Sequence, residues 1–269
     1  MRSVANVSGY LAFFKIGIKK QIAYKADYFV SLLFRMARPL IMLAVWAVIY
    51  LNTGMPTIGG LTLAETSAYY FLAMPMMGLF DTAVIDTMQD DVQSGAIASA
   101  RVKPLSYPFN VLFRSLSVGA MDILLLVAPL LIIAFLAFHI TLTPTSLALF
   151  LVEALVGIAT INLIGFFIGM ATIRLTNVYG LASTFWTVWW IISGMTVPLS
   201  FFPTYVQNIL ALTPFPITCY LPIVTLLGAV SDAQIIGWTF YAFVWVVALS
   251  MLAYFWWKRV SKEMGAVGG

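Results

Sequence analysis

Charge is what this sequence has least of. Lys, Arg, Asp and Glu together make up 9% of its 269 residues, against 62% hydrophobic, and the mean hydropathy is +0.99. A soluble domain carries roughly 25% charged residues, so too little polar surface exists here to coat a water-facing globule. A lone cysteine, Cys219, excludes an internal disulfide or a multi-cysteine metal site. A lone histidine, His139, reads as an interface residue rather than a metal ligand. H-E-x-x-H, G-x-S-x-G and the phosphate cradle G-x-x-x-x-G-K-[ST] are all absent, and no lysine follows a glycine. Nor does the start read as a secretory signal, because Lys15, Lys19, Lys20 and Lys25 interrupt its apolar residues.

What is present in quantity is uncharged apolar chain. Residues 154–173 and 233–257 are each long enough to cross a hydrocarbon core, which takes about 20 apolar helical residues. Residues 175–231 carry no charge at all, about twice the length one span uses. The long uniform runs exclude a barrel of short alternating strands and predict helices, which satisfy their own backbone groups in lipid. Six spans are predicted, near 33–53, 64–88, 109–138, 146–172, 179–200 and 234–257. The fold class is therefore an all-α membrane protein: a six-helix transmembrane bundle forming a single domain, 1–269.

The basic residues fix the orientation. All 14 fall on one side of a six-span layout. Arg2, Lys15, Lys19, Lys20, Lys25, Arg35 and Arg38 lie at the start, and Arg101, Lys103 and Arg114 in or beside the loop after span two. Arg174 follows span four, and Lys258, Arg259 and Lys262 close the chain. The opposite loops (54–63, 139–145, 201–233) contain none, which places both termini in the cytoplasm of a cell (inner) membrane. This distribution also answers the net charge of +4 and pI near 9.2, because the basic residues mark a membrane face and not a nucleic-acid site.

Ahead of span one, residues 1–28 read as a cytoplasmic interfacial helix, with Leu11, Phe14, Ile18 and Ile22 along one side and Lys15 and Lys19 at its edge. The plainer alternative is the basic flank of a first span. After span five, Gly194, Pro198, Pro203, Pro214, Pro216 and Pro222 break an apolar, uncharged stretch. Residues 201–230 read as a re-entrant outer region of short helices, or as a hydrophobic lid.

Three carboxylates, Asp81, Asp122 and Glu153, fall within predicted spans, where ionisable groups face a bundle interior, a cavity or a partner. They read as interhelical hydrogen-bonding groups or as polar steps on a substrate path, and Arg114 is placed to meet Asp81 or Asp86. Gly165 and Gly169 form one G-x-x-x-G, a weak signal for close helix approach. Trp186, Trp189, Trp190, Trp256 and Trp257 suit interface belts, and Met74, Met76 and Met77 around Pro75 suit an adaptable, kinked helix.

The loop 89–108 runs from Asp90-Asp91 through Gly95, Ile97 and Arg101 to Pro104. Its acidic start and basic end suit a short helix, and on physical grounds alone it is an ordinary connector. Its "SGAIASARVKPLSYP", however, resembles the cytoplasmic segment of permease subunits of type-two ABC exporters. "SGMTVPLSFFP" (193–203) and "LTPFP" (212–216) resemble that family's outer re-entrant region, and the closest subgroup is that of uncharacterised permease components. The resemblance implies an exporter subunit that forms half of a substrate path. Residues 90–104 would dock a separate ATPase, with Asp91, Gly95, Ile97, Arg101 and Pro104 as the coupling set. It implies no catalysis and no cofactor on this chain, ATP and Mg being held by the ABC ATPase subunits. It also implies a second permease chain, identical or related, and surrounding membrane lipid. Two rivals stand beside it: a proton-coupled carrier running on Asp81, Asp122 and Glu153, and a non-transporting membrane scaffold.

Overall fold

The computed structural model of the chain describes residues 11–12, 14–16, 18–19, 25–80, 83–97, 106–122, 125, 128–138, 140, 143–175 and 177–266. Among them the fold is helical throughout, with one isolated bridge between Ile58 and Leu61 and no strand. Seven helices carry the frame: α1 (Lys25–Thr53), α2 (Leu63–Phe80), α3 (Val84–Gln93), α4 (Tyr107–Asp122), α5 (Ala128–Phe138), α6 (Pro144–Leu175) and α7 (Tyr179–Ile192). Two short helices, α8 (Thr204–Ala211) and α9 (Tyr220–Leu227), and the long α10 (Asp232–Ala266) complete it. Single 3-10 turns stand at Leu199–Phe201 and Pro216–Thr218.

Local chemistry starts the two central helices. Thr62 caps α2: the Glu65 N–H donates to its Oγ1 at 3.3 Å, while Glu65 Oε2 accepts from the Thr62 N–H at 2.8 Å. Thr143 and Ser146 make the same reciprocal pair ahead of α6, each hydroxyl oxygen accepting the other's N–H at 3.1 Å, with Pro144 opening the helix. Both are capping boxes.

Helix α2 is the centre of the bundle. Tyr69, Tyr70, Leu72, Ala73 and Met76 are all fully buried, as expected of a helix that is apolar on every side. It packs against α1, α4, α5, α6 and α9, while α6 packs against α3, α9 and α10. Helix α10 behaves oppositely. Only 11% of its most apolar stretch is buried, and Ile236, Phe240, Phe243, Met251, Leu252 and Phe255 lie exposed. A row of large apolar side chains of this extent faces lipid or another chain.

By length and composition, two helices among the described residues qualify as membrane spans, Pro144–Leu175 and Ala233–Ser261. At a rise of 1.5 Å per residue, the 32 residues of α6 reach about 48 Å. The expected spans one, four and six each fall within a single helix, and the second and fifth need correction. Residues 84–88 belong to a separate amphipathic helix, α3, which follows a turn at Ala83. The described residues of the third stretch are helical, within α4 and α5. The fifth stops at Ile192, since Ser193 and Gly194 turn the chain. Of the N-terminal stretch, residues 11–12, 14–16 and 18–19 are helical, with Phe14 and Ile18 half-buried and Leu11, Lys15 and Lys19 exposed. Ile22 lies outside the described residues.

The segment after α7 is held from within. The Tyr69 hydroxyl donates to the Gly194 carbonyl and the Tyr70 hydroxyl to the Thr196 carbonyl, each at 2.6 Å. The Trp189 indole N–H donates to Thr218 Oγ1 at 2.9 Å, and the Tyr220 N–H to the Ser193 carbonyl at 3.0 Å. Residues 220–226 of α9 are all buried. Gly194 sits at φ +86°, and a Cβ there would stand 2.8 Å from both Leu199 Cδ1 and Tyr220 Cβ. Gly194→Ala is therefore expected to cost about 1–3 kcal/mol, combining a left-handed backbone with overpacking. Thermal unfolding in detergent measures it, with Gly180→Ala as the control, since a Cβ at Gly180 meets nothing within 4 Å.

Candidate functional site

Two places gather polar side chains inside the bundle. The first is the corner where α3 meets α4, just before the loop that the sequence marks as a docking segment. Arg114 on α4 donates through Nη1 to both carboxylate oxygens of Asp91 on α3, at 3.0 and 2.9 Å. The Tyr107 hydroxyl donates to Asp91 Oδ2 at 3.2 Å. Burial, and next the charge of Asp91, push the Tyr107 phenol up, so its hydroxyl stays a donor. Tyr107 in turn stacks on Trp257 of α10, ring centres 5.0 Å apart at 20°. The Asp91 side chain is 9% exposed.

This geometry corrects three expectations. Arg114 pairs with Asp91 rather than with Asp86, and Asp81 lies outside the described residues. Asp91 is a buried member of α3 and does not open a short helix. An acidic group near a helix C-terminus opposes the helix dipole, and the bidentate arginine offsets that cost. Ile97, expected on a docking surface, packs inward against the cluster of Val84, Met88, Tyr107, Val111 and Phe166. The turn itself is as expected. Ser94 follows α3, and Gly95 takes φ +73° with open space around it, a conformation that favours glycine. Residues 96–97 are helical again, whereas Arg101 and Pro104 lie outside the described residues.

Helix α3 is fastened on its other sides as well. Met88 is fully buried against Gly169 of α6, where an added Cβ would stand 2.6 Å from Met88 Sδ. Gly169 of the G-x-x-x-G thus serves a close approach inside the chain. The side-chain oxygen of Gln89 accepts the Val178 N–H at 3.0 Å, tying α3 to the connection that opens α7. No sequence motif pointed to Met88, Gln89 or Tyr107. The alternation of Val84, Ile85 and Met88 with Asp86, Gln89 and Asp90 was the available signal, since an amphipathic pattern inside a presumed span marks a helix break.

The second place surrounds Glu153 of α6, which is fully buried. The hydroxyls of Thr225 on α9 and Thr239 on α10 each donate to its Oε1 at 3.1 Å. Its Oε2 has no hydrogen-bond partner among the described residues. Thr225 also borders a cavity of about 720 Å³ lined by Glu65, Thr143, Ser146 and Ile235 among others. Asp81 lies outside the described residues, and Asp122 closes α4 with its side chain likewise outside. Among the described side chains, Glu153 therefore stands without the two other carboxylates.

Among the described residues the fold is all-helical, with two helices long and apolar enough to cross a membrane and buried polar groups paired between helices. A profile of the family described as ABC-2 family transporter protein matches residues 36–268, and the chain belongs to that family of ABC-transporter permeases. Such permeases are typically non-catalytic membrane subunits, and membership implies association with ABC ATPases. No curated protein matches the chain.

The Asp91–Arg114 pair gives a direct prediction. Asp91→Asn and Arg114→Gln are each expected to destabilise the chain, and the double variant by less than their sum. A coupling of about 1–3 kcal/mol fits two charges in contact at a partly buried site. A double-mutant cycle on detergent unfolding measures it, and strict additivity would show that the pair does not hold the corner.

Proposed function

We propose that the chain is the transmembrane subunit of an ATP-driven exporter. In this reading it crosses the membrane six times, keeps both termini in the cytoplasm and contributes half of the substrate path. A second permease chain, identical or related, supplies the other half. Residues 1–28 lie along the inner membrane surface, residues 89–108 form the coupling loop, and residues 201–230 re-enter the outer leaflet. ATP and Mg act on the separate ATPase, and this chain performs no chemistry of its own.

One observation carries the reading beyond family membership, namely how the turn at Ser94-Gly95 is mounted. The helix before it is fastened to α4 by the Asp91–Arg114 pair, to α6 by Met88 and Gly169, and to the start of α7 by Gln89. A push on the turn is thereby passed to three elements of the bundle at once. An ordinary connector has no need of such mounting. The exposed residues for an ATPase to meet are Asp90, Ser94 and Gly95, whereas Asp91 and Ile97 support them from behind.

The test is purification of the tagged full-length chain from its native membrane, with identification of what accompanies it. An ATPase carrying a P-loop is expected with the wild type. It is expected to be lost from Asp90→Arg/Ser94→Trp, two exposed substitutions that spare the fastened face. Equal recovery of the ATPase with the variant would move the docking surface elsewhere. Failure to recover any ATPase with either intact form would overturn the exporter reading in favour of a carrier built on Glu153.

A further inference from the structure

Below the aromatic contacts that join α6 to α10, a cleft of about 640 Å³ opens on the outside of the bundle. Among the described residues its lining comes from two helices: Phe167 and Arg174 of α6, with Leu252, Phe255, Trp256 and Arg259 of α10. The two helices run in the same direction here. Glu153 meets Thr239 near one end, and Phe167 meets Trp256 further along, ring centres 5.5 Å apart. Residues at equal steps along each helix therefore sit at similar depth.

Counted from the Phe167–Trp256 contact, Arg174 lies seven residues on and Arg259 three, so both guanidinium groups stand on its C-terminal side. On α10 the positions 252, 255, 256 and 259 share one face by helical spacing. The cleft thus has an apolar, aromatic end toward the middle of the helices and a doubly cationic end at their C-terminal limits. Leu252 and Phe255 are 58% and 63% exposed.

From this polarity we infer that the cleft is a binding site for an anionic phospholipid. The phosphate would lie between Arg174 and Arg259, and an acyl chain along Leu252, Phe255 and Phe167. Charge complementarity selects the occupant. A zwitterionic lipid offers the same chains but adds a cation near the two guanidinium groups, and a soluble anion makes no use of the apolar end. Arginine suits the task because its planar fork offers five N–H donors, so engagement with the protein leaves others for phosphate oxygens. Basic pockets between membrane helices on the cytoplasmic side hold acidic head groups by the same physics. Placement in the cytoplasmic leaflet rests on the orientation proposed above, whereas lipid selectivity does not.

Native mass spectrometry of the purified full-length chain tests the site, with phosphatidylglycerol and phosphatidylcholine as probes at equal concentration. The wild type is expected to retain phosphatidylglycerol preferentially, and added inorganic phosphate to leave that retention unchanged. Arg174→Gln/Arg259→Gln is expected to weaken phosphatidylglycerol binding by about thirtyfold, the loss of roughly two surface-facing charge contacts. Phosphatidylcholine binding should stay as it was, and Arg174→Lys/Arg259→Lys should keep most of the preference. Equal retention of both lipids by the wild type would overturn the inference. So would a glutamine variant that keeps its phosphatidylglycerol but loses the co-purifying ATPase, because a protein would then cover this face. ATPase recovery is a separate readout, so a failed exporter reading and a failed lipid site are told apart.

Discussion

A helix that ends within a membrane protein leaves carbonyl groups that no water will satisfy, and each costs several kcal/mol if orphaned in hydrocarbon. The segment after α7 is arranged around that constraint. Helix α7 stops at Ile192 and the chain turns repeatedly until α9 begins at Tyr220. The carbonyls of Gly194 and Thr196 are met by Tyr69 and Tyr70, successive residues of the central helix. Because α2 is buried on every side, those two hydroxyls stand on its least movable part. Trp46 of α1 then stacks near Tyr70 and meets Phe201 edge-on at 4.9 Å, so the first helix joins the same arrangement. The irregular segment is thereby ordered by its neighbours and needs little regular structure of its own.

The corner between α3 and α4 answers the same constraint with charge. Asp91 could be carried at a helix end, against the dipole and away from water, only with a partner in place, and Arg114 supplies two hydrogen bonds in one geometry. Replacing such a pair by apolar residues is often neutral, whereas removing one member is costly. The pair is thus better understood as fixing the register between α3 and α4 than as a source of stability. Tyr107 extends that register to α10 through its stack on Trp257.

Much of this was legible in the sequence, unevenly. The one-sided distribution of Lys and Arg and the uncharged runs delivered the helical class and the positions of α1, α6 and α10. The capping pairs Thr62–Glu65 and Thr143–Ser146 mark the starts of α2 and α6 within a residue, but the expectation rested on hydropathy and made no use of them. Charge near the loop was misread because sequence proximity was taken for spatial role. Asp90 and Asp91 seemed to begin a helix but end one, and Arg114 reached past the nearer-looking carboxylates. Ile97 followed the same logic, since a single apolar residue in a loop gives no sign of which way it faces. Hydropathy also averages across breaks. Asp81 and Thr82 are the polar residues between Phe80 and Val84, too few for a window of about 19 residues to register the junction between α2 and α3.

That junction is where the two arrangements meet. The central helix holds the segment after α7 through Tyr69 and Tyr70 near its middle, and past its C-terminal end follows α3, which leads into the turn at Ser94-Gly95. On the proposed reading, an ATPase moving that turn acts on α3 directly and on the outer segment only through α2. The glycine at 169 matters in this light. Met88 fits against it so closely that a Cβ at 169 would stand 2.6 Å from its sulfur, so α3 and α6 touch with no side chain of residue 169 between them. On the proposed reading, a displacement begun at Ser94-Gly95 therefore passes through this contact into the helix that carries Glu153 and Arg174.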